Sequence, residues 1–432
     1  MKRAINWIRR SAGSDFARVS AWSGVATVLK MLTGVISTKV IAATIGTVGV
    51  GLVGNFLNSV AILSLLGTGG IGQGVTKAIA ENFDKPEKQQ NIIRQAIRIT
   101  LISTAIVALL VVLFSSVLGD TLFKSQQYRS IIILFGITLI LYTVNMLIVS
   151  IVNGFKQFKK FISINVVTSI GSLVIGVILV LQYGLYGALI STVLSQTIIV
   201  ALTFYMVRRE QWFRSIFNWV KPDWNVIRVL LSFTLMAVVS ILSVQSSQLV
   251  VRIHIGETIS MADAGIWEAV NRISAMYLMV VTTSISTYYL PRLSEIREPG
   301  ALRREIFQTM SMLLPAVFAI CVVVYLLKDI ILRLLFTSDF LPARDLFLFQ
   351  MIGDFFKIAS LTVAFLFWAK AKTLLFILSE LVAAGGFISM AFWFTNRFGV
   401  VGASYAHALN YAVYFCLVVF IFRKILFTRS SG

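Results

Sequence analysis

Several charged side chains lie inside long apolar runs of this sequence, where an ionised group is rarely found without a function. A charge at the centre of a bilayer costs about 2.5–3.5 kcal/mol on insertion scales. The cations in such positions are Lys30, Lys39, Arg252, Arg272 and Lys357, and the acids are Glu268, Asp354 and Glu380. Because cations outnumber acids, a cavity shared by these side chains favours an anionic ligand such as phosphate or pyrophosphate. The acids are candidates for coupling to protons or monovalent cations.

Some of these charges also have a purely structural interpretation. Asp354 and Lys357 are three residues apart and Glu268 and Arg272 are four apart, so each pair can neutralise itself on one helix face. Lys30 has no such partner within its own run, which favours a position in a functional cavity.

Uncharged polar side chains also share helix faces within the apolar runs. The pairs are Asn55 with Asn58, Gln245 with Gln248, and His407 with Asn410. Such stripes line water or bond a neighbouring helix. For His407 and Asn410 the alternatives are a packed polar pair and a proton relay.

No sequence motif indicates covalent chemistry. The segment Gly67–Gly72 matches G-x-G-x-x-G, but it lies in an apolar run without the βαβ unit that a dinucleotide site needs, so we interpret it as a helix break or a close helix contact. No ATP phosphate loop, HExxH motif or Cys–His cluster occurs. Cys321 and Cys416 are expected to be buried small apolar residues. The sequence therefore predicts no enzyme, no metal site and no cofactor.

The composition indicates which elements must position these residues. Of the 432 residues 58% are hydrophobic and 13% are charged, and the mean hydropathy is +0.88. Too few charges are present to cover soluble domains, and the apolar runs exclude disorder. The formal net charge of +20 does not indicate nucleic-acid binding, because the basic residues lie in short loops between apolar runs. An all-α integral membrane protein is the remaining class.

Twelve runs are long enough to cross a bilayer as helices. They lie at about 20–42, 49–76, 97–118, 129–151, 161–182, 185–207, 226–251, 264–290, 306–327, 346–369, 373–395 and 399–422. Most of the 38 Lys and Arg fall on one side if the N-terminus is cytoplasmic, so both termini are predicted to be cytoplasmic.

The chain divides into two six-span halves. We predict an N-terminal bundle over 1–207, a basic cytoplasmic linker over 208–225 and a C-terminal bundle over 226–432. Thr44-Ile45 with Gly51 recurs 214 positions later as Thr258-Ile259 with Gly265, and GLYGA at 184–188 recurs as GVVGA at 399–403. These matches predict parallel repeats, an arrangement typical of transporters with the substrate site between the repeats.

The chain resembles the Wzx-type polysaccharide flippases of the multidrug/oligosaccharidyl-lipid/polysaccharide exporter superfamily, above all their enterobacterial common antigen branch. The resemblance extends over nearly the whole chain. It is carried by Lys30 and Lys39, GVTK at 74–77, KPDW at 221–224, SFTLMA at 232–237, GIW at 265–267, YLPRLS at 289–294, GDFFK at 353–357 and ILSE at 377–380.

This resemblance implies two six-helix bundles around a central cationic cavity. It implies transport of an undecaprenyl-pyrophosphate-linked oligosaccharide, such as lipid III or an O-antigen repeat unit, across a bacterial inner membrane by alternating access. The cations named above would bind pyrophosphate or sugar, and the acids would couple transport to an ion. A polysaccharide polymerase and a chain-length regulator are expected partners besides membrane lipid. The alternative is an ion-coupled multidrug or cation exchanger of the same superfamily.

Overall fold

A computed structural model of the protein describes residues 15–213, 221–296, 298–370 and 372–427. These residues form fourteen α-helices and no strands. The first six helices are α1 Asp15–Gly67, α2 Gly72–Glu81, α3 Pro86–Leu113, α4 Ser115–Phe123, α5 Arg129–Gly154 and α6 Phe158–Val207. The others are α7 Trp224–Thr258, α8 Met261–Glu295, α9 Pro299–Leu326, α10 Lys328–Leu335, α11 Phe347–Ala369, α12 Thr373–Phe398, α13 Val401–Ile421 and α14 Arg423–Phe427. A helix satisfies its own backbone hydrogen bonds, as a chain in lipid requires.

Nine helical segments of the described residues are long and apolar enough to cross a membrane. Two of them, α1 and α6, are broken at Gly46 and Gly184, and each supplies two of the predicted spans. With both halves of α1 and α6 counted, these segments account for eleven of the twelve predicted spans, whereas the span predicted at 264–290 lies on α8, which is not among the nine. The predicted all-α membrane fold is confirmed, and the chain is a multi-pass membrane protein.

Glycine makes both breaks possible. Gly46 has φ 61° and ψ −166°, and Gly184 has φ 55° and ψ −129°, a sparsely populated positive-φ conformation that costs other L-residues roughly 1–3 kcal/mol. Gly69 and Gly70 also have positive φ, between α1 and α2. The glycine-rich segment is thus a helix break, as predicted, and span two ends at Gly67 and not at residue 76.

Contacts between Cα atoms divide the chain into two units. One comprises the described residues up to Val40 together with those of Val60–Val238, and the other comprises Ile41–Ser59 together with the described residues from Val239. In the first unit α2, α3 and α6 pack around α5. In the second unit α8, α9 and α13 pack around α11. The predicted domain boundaries at 207 and 226 stay predictions.

The sequence repeat is also present in the backbone. Gly399 has φ 64°, like its counterpart Gly184, so both copies of the glycine motif turn between two helices. In the second unit the repeated glycines meet: a methyl group on Gly51 would lie 3.0 Å from the Gly265 nitrogen and 3.2 Å from the Met261 carbonyl oxygen. Gly265 in turn contacts the carbonyl of Thr47, the counterpart of Met261. Residues 41–59 therefore pack on α8 through a contact that is nearly symmetric in the two repeats.

Large apolar side chains cover much of the outer helix surfaces. Leu113, Ile137 and Leu181 are each more than 60% exposed, as is expected for side chains that contact lipid tails. Cys321 is buried as predicted, but Cys416 is exposed, so the expectation of burial was wrong for that residue. A small apolar side chain on a membrane span, such as Cys416, can contact lipid and does not have to be buried against another helix.

Only parts of the predicted linker lie within the described residues, namely 208–213 and 221–225. Trp212 is buried and stacks on Phe155 with ring centroids 5.8 Å apart. Burial raises the pKa of the Glu210 carboxyl, but hydrogen bonds from Lys160 and Gln157 outweigh this and hold the pKa below its usual value. The start of the linker is thus fixed to α6.

The end of the linker is fixed to α3. The carboxylate of Asp223 accepts hydrogen bonds from the Asn225 backbone (3.1 Å) at the start of α7 and from the Asn91 side chain (2.7 Å) of α3. Gln95 donates to the Lys221 carbonyl oxygen at 2.9 Å. The KPDW segment therefore sets the point at which α7 begins.

Candidate functional site

The second unit contains a cavity of about 220 Å³ bordered by α7, α8, α11, α12 and α13. Its titratable lining residues include Lys357, Glu380, His407, Tyr411 and Tyr414. Uncharged polar groups come from Ser243, Ser247, Gln248, Asn271 and Asn410, and aromatic rings come from Trp267, Phe365, Trp368, Phe376 and Phe387. Apolar walls with a few polar groups are typical of sites for organic ligands.

One cation and one acid face this cavity, each beside a tyrosine. The Lys357 ammonium lies 5.5 Å from the centre of the Tyr411 ring, a cation–π distance. The Tyr414 hydroxyl donates to the Glu380 carboxylate at 3.0 Å. The cavity can therefore hold a ligand that carries both an anionic part and hydroxyl groups.

A buried acid lies behind the cavity wall. Asp354 is fully buried on α11, and its carboxylate bonds the His407 Nε2 at 3.0 Å and accepts a hydrogen bond from the Tyr277 hydroxyl. The neighbouring Gly353 leaves room for the imidazole, since a methyl group there would lie 2.8 Å from His407 Nε2. The Gln350 amide approaches the same nitrogen at 3.3 Å. This face of α11 thus fixes the ring of His407.

A second buried network joins residues 41–59, α7 and α8. Glu268 accepts hydrogen bonds from Arg252 at 2.5 Å and from Arg272 at 2.9 Å. Arg252 also donates to Asn58 at 3.2 Å, and Asn58 donates to the Gln245 side chain at 2.9 Å. The i,i+4 pairing of Glu268 and Arg272 is as the spacing predicted, and Glu268 serves both guanidinium groups.

The structure brings some of the predicted site residues together and separates others. Those that line the cavity of the second unit are Gln248, Lys357, Glu380, His407 and Asn410. Those that take part in side-chain networks of the same unit are Asn58, Gln245, Arg252, Glu268, Arg272 and Asp354, of which Gln245 and Arg272 are half-buried. Asn55 is fully buried in that unit. Lys30, exposed, and Lys39, half-buried, belong to the first unit.

This distribution changes the charge balance that the sequence suggested. Within the second unit the predicted cations Arg252, Arg272 and Lys357 are matched in number by the predicted acids. The cationic excess therefore depends on Lys30 and Lys39.

The sequence did not predict four aromatic residues at the site, namely Tyr277, Tyr411, Tyr414 and Trp267. Tyr411 and Tyr414 follow His407 by four and seven residues, so helical spacing could have placed them on its face. Tyr277 and Trp267 lie on α8 beside charged residues and carry no comparable pattern. An aromatic residue in an apolar run looks like any other core residue.

Comparison with known proteins identifies the family. Residues 16–297 match the family described as polysaccharide biosynthesis protein, and the chain belongs to that family. It is 29% identical to the lipid III flippase of Escherichia coli strain K12 over 416 residues, which cover 94% of this chain and 98% of the relative. The lipid III flippase of Shigella flexneri matches to the same extent.

Solved structures share the fold at low identity. The lipid II flippase MurJ in an inward closed conformation has a TM-score of 0.74 at 14% identity, covering 95% of this chain and 90% of that chain. An inward-facing multidrug resistance MATE family transporter of the MOP superfamily has a TM-score of 0.72 at 12% identity, covering 94% of this chain and all of that chain. The chain thus has the fold of this superfamily, as the resemblance implied.

Proposed function

We propose that this protein is a flippase that moves an undecaprenyl-pyrophosphate-linked oligosaccharide from the cytoplasmic to the periplasmic leaflet of a bacterial inner membrane. The observation that carries the proposal is the end-to-end similarity to the lipid III flippases, which covers 94% of this chain and 98% of the relative. No covalent chemistry is required. The sugar head group crosses the bilayer within the protein while the polyprenyl tail stays in lipid.

The cavity of the second unit supports this proposal. Lys357 offers a cation to a phosphate oxygen, and the serine and amide side chains of the wall offer hydrogen bonds to sugar hydroxyls. Lys30 and Lys39 are further proposed contacts of the pyrophosphate. Arg252, Arg272 and Glu268 then act behind the cavity wall and keep α7, α8 and residues 41–59 in register.

The drive for transport is proposed to be an ion gradient or the membrane potential, with Asp354 and Glu380 as the candidate coupling acids. Both termini are proposed to be cytoplasmic. A polymerase and a chain-length regulator of the same pathway are the proposed partners, because a flipped repeat unit must be consumed on the periplasmic side.

The first test is mass spectrometry of polyprenyl lipids from cells depleted of this protein. Accumulated undecaprenyl-pyrophosphate oligosaccharide on the cytoplasmic face, located with a lectin, is the expected result. Normal lipid pools together with new sensitivity to cationic drugs would favour the exchanger alternative and overturn the proposal.

The second test compares two lysine variants. Lys357→Ala is expected to abolish export while membrane insertion stays normal, because the cavity of the second unit loses its ammonium group. Lys88→Ala removes an exposed lysine from the first turn of α3 and is expected to export normally. Normal export by both variants would contradict a role for Lys357 in head-group binding.

A further inference from the structure

The last predicted span of each half ends on an exposed aromatic ring that carries an arginine. At the end of α6, the Arg208 guanidinium carbon lies 4.1 Å from the centre of the Tyr205 ring. At the end of α13, the Arg423 guanidinium carbon lies 4.3 Å from the centre of the Phe420 ring. The two rings are 61% and 60% exposed. Both are cation–π contacts, and they are called the ring–arginine contacts below.

The two ring–arginine contacts are copies of one sequence motif. Residues 205–209 read YMVRR and residues 420–424 read FIFRK, an offset of 215 positions. The glycine motif at 184–188 recurs at 399–403 with the same offset. Each copy has an aromatic residue, an arginine three positions later and a second cation directly after it, and both second cations are exposed. The contact therefore belongs to the repeat and not to one helix end alone.

The four cations of the two motifs are available to an anionic ligand. No carboxylate of the described residues lies within ion-pair distance of any of them. The acid next to the first motif, Glu210, is bound to Lys160. A guanidinium that stacks on a ring through its face keeps N–H groups at its edge, and these can bond a phosphate group with two parallel hydrogen bonds.

An exposed strip of apolar and aromatic side chains leads to each contact along one helix face. The strip on α6 consists of Ile198, Leu202 and Tyr205, and the strip on α13 consists of Val413, Cys416 and Phe420. Each strip begins ten residues before its arginine, which is about 15 Å along a helix. The hydrocarbon core of a bilayer is about 30 Å thick, so each strip matches the depth of one leaflet.

We propose that the two ring–arginine contacts are binding sites for an anionic phospholipid. In the proposed orientation both spans end at the cytoplasmic leaflet, and the inference does not depend on what the cavity of the second unit binds. The lipid phosphate binds the arginine and the cation after it, the ring lies at the level of the head groups, and an acyl chain lies along the strip.

Two other membrane lipids fit these sites less well. Phosphatidylethanolamine carries an ammonium group that the two cations of each site repel, whereas the phosphatidylglycerol head group carries no positive charge. An undecaprenyl tail is longer than the strip, whereas an acyl chain spans a single leaflet. The sites therefore select phosphatidylglycerol by head-group charge and by chain length.

The test is native mass spectrometry of the purified protein in detergent, with dioleoyl phosphatidylglycerol, dioleoyl phosphatidylethanolamine or undecaprenyl phosphate added. The wild-type protein is expected to bind two molecules of phosphatidylglycerol about 5-fold more tightly than phosphatidylethanolamine. Arg208→Gln and Arg423→Gln are each expected to weaken one of these two binding events. The double variant is expected to bind the two phospholipids within about 2-fold of each other.

A second double variant tests the rings. Tyr205→Leu with Phe420→Leu keeps all four cations but removes the surfaces that orient the arginines, and its preference is expected to fall between those of the wild type and the double arginine variant. A preference as strong as that of the wild type would show that the ring–arginine contact is not part of the site.

Lys88→Gln is the matched control, because Lys88 is an exposed cation at the start of α3 whose ammonium group contacts no ring of the described residues. It is expected to keep the preference. Equal binding of both phospholipids by the wild type, or a loss in Lys88→Gln as large as in the double arginine variant, would overturn the two sites. If undecaprenyl phosphate bound more tightly than phosphatidylglycerol and only the double arginine variant lost this binding, the sites would belong to the polyprenyl carrier, and the phospholipid assignment would be wrong.

Discussion

Glu268 is predicted to be a shared counter-ion, and its removal tests this directly. Its carboxylate accepts from Arg252 at 2.5 Å and from Arg272 at 2.9 Å, and the Arg252 side chain is only 1% exposed. Glu268→Gln keeps the shape but leaves two guanidinium groups in the interior without a carboxylate. Breaking a buried ion pair in this way costs about 3–5 kcal/mol.

A second substitution separates charge balance from simple loss of contacts. Arg272→Gln alone removes one charge-assisted hydrogen bond, worth about 1.5–3 kcal/mol. In the double variant Glu268→Gln with Arg272→Gln, one unpaired cation remains in place of two. We therefore expect the double variant to be more stable than Glu268→Gln alone, with a coupling of about 0.5–3 kcal/mol.

The assay is thermal unfolding in detergent at one fixed scan rate, which ranks variants even if unfolding is irreversible. The expected order of melting temperatures is wild type, Arg272→Gln, the double variant, and then Glu268→Gln. Asp84→Asn neutralises an exposed acid and serves as the control, with an expected change within about 0.5 kcal/mol. If the double variant were the least stable of all, the losses would be additive and the shared counter-ion would be refuted.

Further predictions concern the glycines and the linker. Gly265→Ala, which places a methyl group against the backbone of residues 41–59, is expected to lower stability in the same assay by about 1–3 kcal/mol, whereas Gly385→Ala, with nothing within 4 Å, is expected to stay within about 1 kcal/mol. Gly184→Ala and Gly399→Ala are expected to cost about 1–3 kcal/mol each, because both glycines have positive φ with strongly negative ψ, and equal stability to wild type would contradict this. Because folding lowers the pKa of Glu210, its carboxylate stabilises the start of the linker at pH values above the ordinary carboxyl pKa, and this stabilisation is lost as the pH falls through the lowered pKa. Hydrogen exchange of residues 208–213 is therefore expected to be slower in wild type than in Glu210→Gln at pH 7, with a difference that shrinks as the pH is lowered through the acid range, and a difference that did not shrink would refute the assignment.

The spans were predictable because hydropathy and helix length follow directly from the solvent. The break at Gly184 was also within reach, since its motif recurs at Gly399 and falls between two predicted spans. The predicted span at 49–76 is too long, because the turn at Gly69, Gly70 and Ile71 lies in a continuous apolar run and cannot be recognised from its composition. Residue types report solvent preference, whereas a turn depends on backbone angles.

Side-chain pairing was predictable within one helix and not between helices. The Glu268–Arg272 pair follows from its spacing of four residues. The bond from Arg252 to Asn58 joins residues 194 positions apart and depends on how residues 41–59 pack on α7. The bond between Asp354 and His407 depends on the packing of α11 and α13 in the same way. A single sequence carries no signal for such contacts.

Charges inside membrane spans are therefore an indirect guide to a binding site. An ionised side chain in a low-dielectric interior is costly unless it is paired, so folding itself selects partners for it. In the second unit Arg252, Arg272 and Asp354 all have such partners within the protein.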